Sequence, residues 1–163
     1  MTADRDLATI FGESGSEIIT HENRTVRAFV RIEVPARATL EITRLTASRR
    51  RPQAMKISAN VGELVVDGSR APTIALWADT SPRKVLVTID NDERTTVDLW
   101  NAWRYGGADH AWLGNAGIVV QAEADHYTLQ CSDGVGAVDF TDLVVTVRIS
   151  PDRARPAGHV PGS

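Results

Sequence analysis

Thr25-Val26-Arg27-Ala28-Phe29-Val30-Arg31-Ile32-Glu33-Val34 decides the fold class. Val26, Ala28, Val30, Ile32 and Val34 share one side of an extended chain. Thr25, Arg27, Arg31 and Glu33 share the other, with Phe29 the exception. Successive side chains of a strand point to opposite faces, so this period of two predicts a half-buried strand. Ala38 to Thr46 repeats the pattern, with Ala38, Leu40 and Ile42 set against Thr39, Glu41 and Thr43. The register slips near Arg44, which predicts a bulge or the strand's end.

Further short strands are predicted over Met55–Ala59, Glu63–Val66, Thr73–Trp77, Lys84–Ile89, Thr95–Arg104, Ile118–Glu123, Tyr127–Cys131 and Leu143–Ile149. Turn-forming residues separate them, among them Asn60-Val61-Gly62, Asp67-Gly68-Ser69, Asp90-Asn91-Asp92, Gly106-Gly107, Gly114-Asn115 and Asp133-Gly134. No segment sustains a three-four apolar spacing over three turns of helix. About ten short strands with almost no helix predict an all-β fold, a two-sheet antiparallel β-sandwich. A jelly-roll-like arrangement is the first reading and an immunoglobulin-like one the second, without the latter's cysteine pair.

Outside this core, residues 1–23 read as a loosely attached N-terminal arm, with a short strand at Glu17 to Thr20. The sandwich domain is expected over 24–149 and a disordered tail over 150–163, where three prolines and two glycines interrupt any periodicity. At 163 residues the chain can bury a sizeable core. No apolar run is long enough to span a membrane, and the charged start at Met1–Asp6 lacks a secretion signal, so the default expectation is a cytoplasmic protein. Cys131 is the single cysteine, which forbids an intrachain disulfide and a multi-cysteine zinc site.

The net charge of −3 hides a polarity along the chain. From Arg24 to Lys56 nine basic residues face Glu33 and Glu41, a balance of +7. From Asp79 to Asp142 eleven acids face Arg83, Lys84, Arg94 and Arg104, a balance of −7. Either the two halves neutralise each other in the fold, or they form a dipolar surface suited to self-association or to an acidic partner. In the second case Arg49, Arg50 and Arg51 are the anion contact. An acidic balance without a basic recognition helix argues against nucleic acid.

Trp100, Trp103 and Trp112 place three of four tryptophans within thirteen residues. Strand parity puts Val97, Leu99, Asn101 and Trp103 on one face and Asp98, Trp100, Ala102 and Arg104 on the other. The first set is the more apolar, so Trp103 is a core residue and Trp100 faces outward. An outward indole between a carboxylate and a guanidinium can stack on a sugar ring while its neighbours bond the hydroxyls. It can equally be covered by the arm or a loop. The Tyr105–Trp112 segment reads as a long loop that carries Asp109, His110 and Trp112. Trp100, Arg104, Asp109, Trp112 and Asn115 are therefore the candidate ligand contacts.

Asp133, Asp139 and Asp142 supply three carboxylates within ten residues. With carbonyl oxygens they could hold calcium, although their spacing is not that of an EF-hand. The competing reading is turn formation at Asp133-Gly134 and capping by Asp139. No other cofactor is implied, since phosphate-binding glycine loops, dinucleotide fingerprints and paired histidines are absent. A non-catalytic module for carbohydrate or another polyhydroxylated ligand is the leading expectation. A structural protein assembling through opposite charges is the alternative, and a hydrolase or isomerase on a sandwich ranks below both.

Overall fold

A computed structural model describes residues 5–151. Helix α1 (Leu7–Ser14) precedes β1 (Ile18–His21), β2 (Arg24–Arg27), β3 (Val30–Val34), β4 (Thr39–Ala47), β5 (Gln53–Ala59), β6 (Glu63–Val66) and β7 (Ser69–Ala71). There follow β8 (Thr73–Trp77), β9 (Lys84–Asp90), β10 (Thr95–Tyr105), β11 (Ala108–His110), β12 (Gly117–Ala122), β13 (Tyr127–Ser132) and β14 (Leu143–Ser150). One antiparallel sheet has nine strands in the order β1-β2-β12-β13-β14-β4-β9-β6-β7. The second runs β11-β10-β5-β8, with β3 also paired to β10. The result is the all-β, sandwich-like, two-sheet architecture that the alternation predicts.

The core is built from the inward half of each alternation. Val30, Ile32 and Val34 of β3, Met55 and Ile57 of β5, and Val97 and Leu99 of β10 cluster with Leu40, Ile42, Val87, Ile89, Leu129, Val145 and Val147. Each such side chain contributes roughly 1.5–3 kcal/mol when fully buried. The slip anticipated near Arg44 is a bulge: Val144 pairs with Thr46 and Val145 with Arg44, leaving Leu45 without a partner in the register.

Thr25–Val34 departs from its expectation. It is two strands, β2 in the nine-stranded sheet and β3 in the other, and the chain changes sheet at Ala28-Phe29. Both pieces bury one side, Val26 in the first and Val30, Ile32 and Val34 in the second. Alternation therefore continues through the step without revealing it. The Ala28 N–H donates to the Glu17 carbonyl at 2.8 Å, and the Ala28 carbonyl accepts from the Trp112 indole at 2.9 Å.

The N-terminal segment also holds more structure than the sequence suggested. Asp6 accepts the Thr9 N–H as the cap of α1, and Gly15 ends the helix at φ 67°. Leu7 is fully buried with Ile19, Val26 and Phe140 in a second cluster. Val119 joins this cluster and lies opposite in parity to Ile118, so the cluster sits on the side of the sheet away from the main core. At eight residues the helix is too short to display a three-turn apolar repeat. The tail expected to be disordered lies outside the described residues apart from Ser150 and Pro151. No described helix is long and apolar enough to cross a membrane.

Candidate functional site

The outward face of the five-membered sheet collects three of the four tryptophans. On β10, Trp103 points inward and is 2% exposed, as parity requires, while Trp100 lies on the outer side. The register places Trp100 beside Lys56 of β5 and Ala102 beside Ala54, which in turn pairs with Trp77 of β8. Ala102 and Ala54 are buried although they face outward. Trp77, Trp100 and Arg104 are the large side chains that border these alanines on that face. The sheet is thus tiled with rings over a floor of small residues.

Trp112 comes from the segment after β11 and stacks on Trp100, with ring centroids 5.0 Å apart and planes 26° from parallel. It is 49% exposed and holds φ at 58°, a left-handed conformation that costs a bulky side chain energy. Its bond to the Ala28 carbonyl fixes the indole at the point where the chain changes sheet. The ring is anchored at its nitrogen and open to water on much of its surface.

Arg104 and Asp109 close the other end of the face. They pair across β10 and β11, with Nε donating to Oδ1 at 3.0 Å. The Arg104 guanidinium lies 4.3 Å above the Trp77 ring. Asp98, the other charged neighbour of Trp100, accepts two hydrogen bonds from Arg31 at 2.7 and 3.0 Å. The segment expected to be a free loop is tied down by β11, whose His110 ring bonds the Tyr105 carbonyl at 3.1 Å. Trp100, Trp112, Arg104 and Asp109 therefore share one face of the second sheet.

Asn115 does not join them. Its Oδ1 accepts the Leu7 N–H at 3.2 Å and its Nδ2 donates to the Gly136 carbonyl at 2.7 Å. The adjacent Gly114 carbonyl accepts the Ala8 N–H at 2.9 Å. The glycine-asparagine turn thus satisfies the first N–H groups of α1, which no helical carbonyl can reach. Trp77, by contrast, belongs to the face and was not singled out from the sequence. Its place follows from the pairing of β5 with β8, which no local pattern shows.

The acidic loop is bound by the protein's own donors. Asp133 is fully buried, and its Oδ2 accepts from Arg51 at 3.0 Å and Gln53 at 2.8 Å while Oδ1 accepts the Val135 N–H at 2.9 Å. Asp142 accepts the Asp133 N–H at 3.0 Å, and Asp139 accepts the N–H and hydroxyl of Thr141. These bonds hold the Asp139 carboxyl below its ordinary range. Burial pushes the Asp142 carboxyl the other way, up to about 6, against the pull of the Asp133 N–H. Among the described residues no group of three or more His, Cys, Asp or Glu side chains is placed to hold a metal ion. The calcium expectation gives way to turn formation and capping. Cys131 is buried beside this loop, and burial raises its thiol far above the range of a nucleophile.

The arginine run meets the same loop. Arg51 is largely buried on Asp133, Arg50 reaches Asp139 at 3.7 Å, and Arg49 is exposed without an ion pair among the described residues. No protein-family model, curated protein or solved structure matches this chain.

Proposed function

We propose that this sandwich, read as a jelly-roll variant, is a non-catalytic binding module for carbohydrate or another polyhydroxylated ligand. The ligand lies on the outer face of the five-membered sheet. The observation that carries the reading is the Trp100–Trp112 stack, in which half-buried Trp100 stands on β10 and the more exposed Trp112 is held against it by a backbone bond. A sugar ring has an apolar C–H face and a rim of hydroxyls. Indoles offer the matching flat surface, and the exposed edges of Arg104, Asp109 and Lys56 offer donors and acceptors at its border. The strained φ of Trp112 supports the same reading, since backbone strain concentrates where a side chain must be aimed.

Assembly through opposite charges has less in its favour. Arg31 pairs with Asp98, Arg37 with Asp92, Arg50 with Asp139 and Arg51 with Asp133, so part of the basic half meets the acidic half inside one chain.

Titration of tryptophan fluorescence with neutral oligosaccharides tests the proposal. The expected result is a saturable shift in the intact protein, weakened about tenfold or more in Trp100→Ala at a temperature where that variant remains folded. Equal binding by the two proteins, or no shift with any sugar, would remove the basis for the reading.

A further inference from the structure

The indole face ends at Trp77 and Arg104, and the chain just beyond both leads into a separate cavity. Ala78, which follows Trp77, lines this cavity, as does Pro52, whose carbonyl accepts the Arg104 N–H at 3.1 Å. Its volume is about 450 Å³, and it opens where the β4–β5 and β8–β9 connections meet. Arg44, Arg49 and Arg51 line it against the single acid Asp79.

The three arginines arrive by different routes. Arg44 has the inward parity of Leu40 and Ile42 and stands where β4 leaves the core, so it points between the two sheets. Among the described residues its guanidinium makes one hydrogen bond, a long one of 3.5 Å to the Ser81 carbonyl. Arg51 is held by Asp133 and is 14% exposed. Arg49 has no ion pair among the described residues. Gln53 also lines the cavity and is fully buried. Its Nε2 is bound to Asp133, but its Oε1 has no hydrogen-bond partner. A buried acceptor without a donor is costly; closed to solvent here, it would take a ligand's hydroxyl only once the cavity wall opened.

We propose that this cavity binds the oxyanion of an acidic saccharide, a carboxylate or a sulfate, whose rings continue past Trp77 and the Arg104 guanidinium that covers it toward the Trp100–Trp112 pair. The inference rests on the indole-face reading and narrows its ligand from polyhydroxylated to polyhydroxylated and anionic. Guanidinium groups suit both oxyanions because their fork of donors matches two oxygens at once. Trp77 and Trp100 are two strands apart and one step offset, roughly 10–12 Å between backbones at ordinary strand spacing. A short oligosaccharide spans that distance.

The test uses the intact protein and three matched probes: an oligogalacturonate, its carboxyl-reduced neutral counterpart, and that neutral oligomer after sulfation. Affinities are read by calorimetry at low salt for wild type, Arg49→Ala, Arg49→Glu and Trp100→Ala. Arg49 is exposed and has no ion pair among the described residues, so its variants are expected to leave the fold intact. The expected result is that at least one acidic probe binds about tenfold tighter than the neutral one. Whichever probe gains identifies the oxyanion. Arg49→Ala should reduce the gain, Arg49→Glu should abolish it, and Trp100→Ala should weaken all three probes alike. If the neutral probe binds as tightly as both acids, or if the gain survives Arg49→Glu, the anion site is wrong while the indole face stands. An acidic preference that ignores Trp100→Ala overturns the indole-face reading and the ligand path across it, and no binding by any probe overturns both.

Discussion

At the scale of single residues, the end of the sandwich near the acidic loop depends on a few buried polar groups bonded to one another. Asp133 is fully buried, and Arg51, Gln53 and the Val135 N–H all donate to its carboxyl oxygens. Asp142 has less support, and its carboxyl titrates near 6 in place of its ordinary 3.8. The folded chain therefore holds this proton more tightly than the unfolded chain between about pH 4 and pH 6. The resulting stabilisation is complete below about pH 4 and is lost as pH rises through 6. Asp142→Asn cannot ionise but keeps an oxygen for the Asp133 N–H. The stability of wild type minus that of Asp142→Asn should fall between pH 4 and pH 6 and stay flat above. Thermal unfolding measured across that range checks this, and a difference that is flat throughout would contradict the assignment. The sequence shows three neighbouring carboxylates and invites a metal. It does not show that Arg51, 82 positions away, reaches Asp133 first.

At the scale of elements, the N-terminal segment is part of the fold's second core. Leu7 packs with Ile19, Val26 and Phe140, while Gly114 and Asn115 receive the helix's free N–H groups. Gly117 lets this happen, since a Cβ there would collide with Val26 and Leu7. Leu7→Ala should cost about 2–5 kcal/mol, the usual range for emptying such a site. Urea unfolding gives the value, and a loss well under 1 kcal/mol would mean that α1 does not hold the sheet. Strands with clean alternation were legible from the sequence, down to the bulge beside Arg44. The division of Thr25–Val34 was not, because a change of sheet at Ala28-Phe29 preserves the inward parity on either side. β7 and β11, at three residues each, are too short to carry a period. The two-turn α1 escaped for the same reason.

At the scale of the whole molecule, the polarity of the sequence is partly folded away. Strand pairing brings Arg31 to Asp98, Arg37 meets Asp92, and the arginine run folds onto the acidic loop. What remains on the surface is the aromatic face, with the arginine cavity at its end. Half of that face could be read from the chain. Parity separates Trp100 from Trp103, and the cost of exposing an indole marks Trp112. Trp77 could not be read, because its position beside Ala54 depends on the register of two strands joined through a third and fourth. Asn115 misled for a local reason: a glycine-asparagine turn looks alike whether it caps a helix or meets a ligand. The central claim is that three of the four indoles form one ligand surface and the fourth belongs to the core. Indole N–H resonances, recorded by nuclear magnetic resonance while an oligosaccharide is added, test it directly. The resonances of Trp77, Trp100 and Trp112 should move together with one binding curve while that of Trp103 stays still. Movement of Trp103 alone, or four resonances that all stay fixed at saturating oligosaccharide, would contradict it.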